Sequence, residues 1–235
     1  MSDNQDTNEG LLWALAGVGV AGLVWGITGE ADPAQGPNST ETGRRTRDCT
    51  CRRYVHLFRE FGRPLGIPTA YLRALACRES SCNPNDREGP AWGLMQITPI
   101  VQQSERRLDG KPGIYRRDEL FDPRISVYLC TRTLGRAMRV LSSLGFPPDW
   151  TNPKWVSLLT AGWNAGYSRK AGVGLVLTYL LQRNWRRQTI DSDVIHRYAE
   201  RAGAAPHLWQ DPGRALWWRS VVRLYFKLSE QERIA

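Results

Sequence analysis

Apolar residues recur at helical spacing through most of the chain. Tyr54, Leu57, Phe58 and Phe61 make one short amphipathic helix, broken between Pro64 and Pro68. Tyr71 to Ser80 carries a second stripe, Leu72, Leu75 and Ala76, which Glu79 continues one turn on. Asn83-Pro84-Asn85 ends it. Asp122-Pro123 reads as an N-cap with proline at the first helical position, and Ile125, Tyr128, Leu129 and Leu141 lie in the helix beyond. Trp155, Leu158, Leu159 and Gly162 mark another helix, ending near Asn164. Gly172 to Tyr179 is apolar, and residues 191–202 form a further short helix. From Pro212, Leu216, Val221, Leu224, Tyr225 and Leu228 alternate with arginines as an amphipathic helix, with Trp217-Trp218 expected to pack on the domain. No alternating strand run of useful length and no internal repeat occurs, so the fold is expected to be mostly α.

Leu11 to Thr28 is different: 18 residues without a charge, just long enough for a membrane span. Trp13 and Trp25 sit near its ends, as an aromatic belt places them. Gly22 and Gly26 have the spacing that lets two such helices approach closely. A cleaved signal peptide fits poorly, because the preceding residues hold Asp3, Asp6 and Glu9 and no basic residue. Residues 29–48 are rich in Gly, Pro, Asn, Ser and Thr without an apolar period, the composition of a linker. Arg44, Arg45 and Arg47 would favour a cytoplasmic C-terminal flank, but they lie far from the span, where that rule weakens.

The chain has 235 residues, 41% hydrophobic and 10% aromatic, enough for one domain with a real core. Its net charge of +9 favours a polyanionic partner. The arginines are scattered through helices and no nucleic-acid-binding motif accompanies them, which sets nucleic acid aside. Cysteines stand at 49, 51, 77, 82 and 130. Their spacing is not that of zinc ligands, and His56, His196 and His207 are distant in sequence. Disulfides are the better reading, with one thiol left over. Cys77 and Cys82 can bridge only if the helix ends near Ser80; otherwise each reaches elsewhere, to Cys130 or to Cys49 and Cys51. Either arrangement braces the backbone around Glu79. No metal or organic cofactor is implied.

A carboxylate on a buried helix face is disfavoured when ionised, so the pKa of Glu79 should rise, as a general acid requires. The motifs beyond this residue are specific. Glu79-Ser80 ends a helix, Asn83-Pro84 makes a turn, Gly93-Leu94-Met95-Gln96 comes next, and Gly162-Trp163-Asn164-Ala165-Gly166 comes later. Over residues 54–200 the chain thus resembles the soluble lytic transglycosylase family, of the lysozyme-like superfamily that includes goose-type lysozyme. The family's third motif is Ala-Tyr-Asn-Ala-Gly, so Gly162 and Trp163 are departures, and the second puts a role for the tyrosine hydroxyl in doubt.

The resemblance implies a lysozyme-like helical domain at 49–204, standing behind the N-terminal transmembrane helix expected from the charge-free stretch. The remaining divisions are an acidic tail at 1–10, the span at 11–28, the linker at 29–48 and a C-terminal amphipathic helix at 205–235. It implies cleavage of peptidoglycan between N-acetylmuramic acid and N-acetylglucosamine, with Glu79 as single acid and base and a 1,6-anhydro product. Ser80, Met95, Gln96, Trp163 and Asn164 carry over as substrate-groove residues, and Tyr198 matches a later Tyr-Val motif loosely. Partners would be glycan strands, a lipid membrane through 11–28, and secretion-system or virion proteins, with no nucleic acid. The domain would face the periplasm or cell wall, or sit in a virion membrane. One alternative is a hydrolase using Asp86 or Glu88 as second carboxylate. Another is a wall-binding or virion structural protein that does not cut.

Overall fold

The structure is a computed structural model and describes residues 51–206 and 210–234. The acidic tail, the expected span at 11–28, the linker, Cys49 and His207 lie outside the described residues. Among the described residues, no helix is long and apolar enough to cross a membrane. Eight α-helices are present among them, with one two-stranded hairpin. α1 is Val55–Gly62, α2 Thr69–Ser80, α3 Pro99–Ser104, α4 Pro123–Ser143, α5 Pro153–Ala165, α6 Val173–Leu181, α7 Ser192–Tyr198 and α8 Pro212–Ile234. β1 (Arg87–Glu88) pairs antiparallel with β2 (Ala91–Trp92). Strands of two residues are too short to leave an alternating pattern, which is why the sequence did not reveal them.

The caps follow the sequence. Asp122 accepts from the Arg124 N–H at 2.8 Å and starts α4, with Pro123 in its first turn. Asn152 does the same for α5 through the Lys154 N–H at 3.0 Å.

α2 is not the two-faced helix that its stripe suggested. Tyr71, Leu72, Ala74, Leu75 and Ala76 are all buried, and so is Arg73. The reason is α8, which lies along α2 and covers the face that would otherwise meet water. Tyr225 of α8 meets Tyr71 edge-on at 5.8 Å, and Trp150, just before α5, packs 5.0 Å from Tyr71 and 4.9 Å from Trp155. Arg73 pairs with Glu232 of α8 at 2.6 Å. The C-terminal segment, whose Trp217-Trp218 pair was expected to pack on the domain, is a wall of the same core. Trp218 is fully buried there.

α2 ends where Asn83-Pro84 predicted. Ser81 (φ 53°) and Cys82 (φ 62°) are both left-handed, and their N–H groups return to the Cys77 and Ala76 carbonyls at 3.2 and 3.4 Å. Two such residues in a row are unfavourable without support. Support comes from the Cys51–Cys82 disulfide, whose Cα atoms lie 5.4 Å apart, and from Arg53, which donates to the Cys82 carbonyl at 2.6 Å. Cys82 thus pairs with Cys51 rather than with Cys77.

Candidate active site

Four chain segments end at one place. The last turn of α2, the hairpin, the last turn of α5 and the start of α8 enclose a cleft of about 580 Å³. Glu79 enters it from α2, Glu88 from β1, Trp163 and Asn164 from α5, and Arg214 and Trp217 from α8. Helix termini suit such a site, because each carries a side chain to the edge of the core while the helix body stays anchored within it.

Glu79 is partly exposed to the cleft and backed by the core. Burial is the main cause that pushes its pKa up to about 8. The Trp163 indole N–H donates to Glu79 Oε1 at 2.5 Å and pulls in the opposite direction, while the charge of Glu88 adds to the rise. The phenol of Tyr71 and the thiol of Cys130, both buried, lie close enough behind it to feel its charge. Glu79 is therefore mostly protonated at neutral pH. Indole has a donor and no acceptor, so Oε1 is the accepting oxygen and the acid proton belongs on Oε2.

The Gly-Leu-Met-Gln turn forms the next wall. Gly93 has φ 79°, and a Cβ there would lie 2.0 Å from the Leu120 carbonyl, so only glycine fits. Gln96 lines the cleft, donates to the Gly93 carbonyl at 2.9 Å, and has a buried Oε1 that accepts no hydrogen bond among the described residues.

The structure thus brings Glu79, Gln96, Trp163 and Asn164 together. It places the other expected groove residues elsewhere. Ser80 is buried, and its hydroxyl donates to the Leu94 carbonyl at 2.8 Å, tying the end of α2 to the turn behind the cleft. Met95 is fully buried and held by its N–H on Ser126 Oγ at 3.0 Å. Tyr198 packs on Trp185 at 4.9 Å and is not part of the cleft wall. Of the two candidate second carboxylates, Glu88 lines the cleft and Asp86 does not. Sequence reasoning missed Tyr167, Arg214 and Trp217, which all line it. The amphipathic period from Pro212 revealed α8 itself, but nothing in it pointed Arg214 or Trp217 at the cleft.

Among the described residues, no cluster of His, Cys, Asp and Glu is arranged to hold a metal ion.

The family described as transglycosylase SLT domain matches residues 56–173. The chain belongs to this family. The SLT match runs from the second residue of α1 through α5, includes Glu79 and the cleft residues of the hairpin, and stops at the first residue of α6. α7 and α8 lie beyond it. The chain is also similar to a solved structure, the 70 kDa soluble lytic transglycosylase SLT70 from Escherichia coli, with 24% identity and a TM-score of 0.46. That similarity covers 73% of this chain and 24% of the other, so the chain spans about a quarter of that protein's length. No curated protein matches the chain.

Proposed function

We propose that this SLT-domain protein is a peptidoglycan lytic transglycosylase with Glu79 as its single acid and base. The observation that carries the reading is the site of Glu79: a carboxyl with pKa raised to about 8, opening on a cleft and oriented by one donor-only partner. Glu79 Oε2 gives its proton to the oxygen between N-acetylmuramic acid and N-acetylglucosamine, and the C1–O bond breaks through an oxocarbenium-like state. The Glu79 carboxylate then takes the proton of the muramic acid C6 hydroxyl as that oxygen bonds to C1. A 1,6-anhydro ring results, no water is consumed, and Glu79 ends protonated as it began. The nucleophile is tethered to the reacting carbon, which favours ring closure.

The charge-free stretch at 11–28 supports anchoring in a membrane, with the domain held on the wall side by the linker at 29–48. The surplus of arginine suits a wall polymer bearing free carboxylates.

One observation favours a second reading. Glu88 shares the cleft with Glu79 and is the carboxylate available to a hydrolase. Mass spectrometry of peptidoglycan digested by the full-length chain separates the two. Anhydro-muramic ends, absent with Glu79→Gln, are expected. Reducing ends heavier by one water would make the protein a muramidase. No product from the wild type would leave a binding or structural role.

A further inference from the structure

The cleft of an SLT domain is completed here by a helix outside the matched span. Asn164 is the point of contact. Its Oδ1 accepts two hydrogen bonds from α8, from Arg214 Nη1 at 2.9 Å and from Trp218 Nε1 at 3.2 Å. Guanidinium and indole are both donors with no acceptor, so the amide can sit only one way round. Its oxygen is turned to α8. The Nδ2 hydrogens make no hydrogen bond among the described residues, and Asn164 lines the cleft beside Trp163, the partner of Glu79. A side chain that could have offered either an acceptor or a donor is thereby restricted to donating.

We propose that Asn164 donates to the acetamido carbonyl of an amino sugar in the cleft, and that Arg214 and Trp218 are positioning residues that hold its amide in that orientation. The inference rests on the glycan-cleaving reading and deepens it. An amide carbonyl is the strongest neutral acceptor that such a sugar presents, and a fixed donor selects it over a bare hydroxyl at the same carbon. The contact also gives α8 a function beyond packing. On its other side the Asp211 carboxylate lies 3.9 Å from Arg214 Nε, an electrostatic contact beyond hydrogen-bond distance. With Arg214 deleted only the longer Trp218 contact holds the oxygen to α8, so the amide is less firmly fixed and turns more readily to present its oxygen to the cleft.

Binding by calorimetry tests this apart from turnover. The protein is the full-length chain carrying Glu79→Gln, so that no cleavage occurs. The probes are the β-1,4-linked hexamer of N-acetylglucosamine and cellohexaose, an uncharged hexamer with a hydroxyl in place of each acetamido group. The parent should bind the first at least about tenfold more tightly, the scale of one or two well-placed hydrogen bonds. Adding Asn164→Asp keeps the acceptor for Arg214 and Trp218 but removes the donor, and the preference should fall to about twofold with the melting temperature unchanged. Arg214→Met, at a partly exposed position, should lower the preference as well. If Arg214→Met does not fold, Arg214→Gln is read in its place. A preference undiminished by Asn164→Asp would overturn the proposal, as would failure of the parent to bind either hexamer. A preference lost with Asn164→Asp but retained in the Arg214 variant would overturn the role of α8. The transglycosylase reading is judged separately, by the mass of the wild-type product.

Discussion

The indole N–H of Trp163 meets Glu79 Oε1 at 2.5 Å. The family motif has tyrosine here, so the departure does not remove a donor from the site; it replaces one that can also accept with one that cannot. The carboxyl is left with one oxygen engaged and one for the reaction.

The proposed mechanism needs Glu79 protonated, so on that reading the rate should fall as pH rises through about 8. Initial rates of glycan release between pH 5 and 9 check this. A rate that stays level to pH 9 would rule out Glu79 as the acid.

Trp163→Phe removes the one hydrogen bond that favours the ionised form, so the alkaline limb should move to higher pH. The rate at neutral pH should drop roughly tenfold or more, because the carboxyl loses its orientation. Trp163→Tyr restores a donor and should recover part of both effects. The same pH series on the two variants measures them.

Glu79→Gln should reduce product release by about a thousandfold and make the fold more stable. The sign comes from the raised pKa. A carboxyl whose folded pKa lies above its unfolded value supports the fold fully below the unfolded pKa, and that support is lost as pH rises through the folded one. Between about 4.5 and 8 the wild type therefore loses stability that the glutamine variant keeps. The difference should be on the order of a few kcal/mol at pH 8 and vanish near pH 4, read from denaturant melts at the two pH values.

Reducing Cys51–Cys82 frees a loop spanning 31 positions. The expected loss is about 3 kcal/mol, or a fall of roughly 6–12 °C in Tm, and calorimetry with and without reductant measures it. Activity should fall with it below the melting temperature, because the bridge holds the two left-handed residues that come directly after Glu79-Ser80.

Gly93→Ala should fail to give folded protein, since its Cβ would meet the Leu120 carbonyl at 2.0 Å in a backbone that disfavours side chains. Soluble yield and circular dichroism decide it.

Local chemistry was legible in the order of the residues. The Asp122-Pro123 cap, the stop after Ser80, the periods of α1, α4 and α5, and Glu79 on a buried face all depend on residues within a few positions of one another. So did the motifs that carry the family resemblance. Ser80, Met95 and Tyr198 were less accessible, because a motif says which residues recur together and not which way each side chain turns. Ser80 and Met95 hold the wall of the cleft from behind, and Tyr198 packs against Trp185 away from it.

What tertiary structure alone decided is what distant segments do to one another. α8 buries the outer face of α2 and turns the amide of Asn164, across 50 residues of sequence to Arg214 and 54 to Trp218. Cys82 joins Cys51, and Trp163 finds Glu79 across 84 residues. Sequence determines helices through short-range periods and caps, which repeat every few residues and can be read in order. Which helix faces meet, and therefore how far Glu79 is dried and which donor holds it, depends on packing the whole core at once.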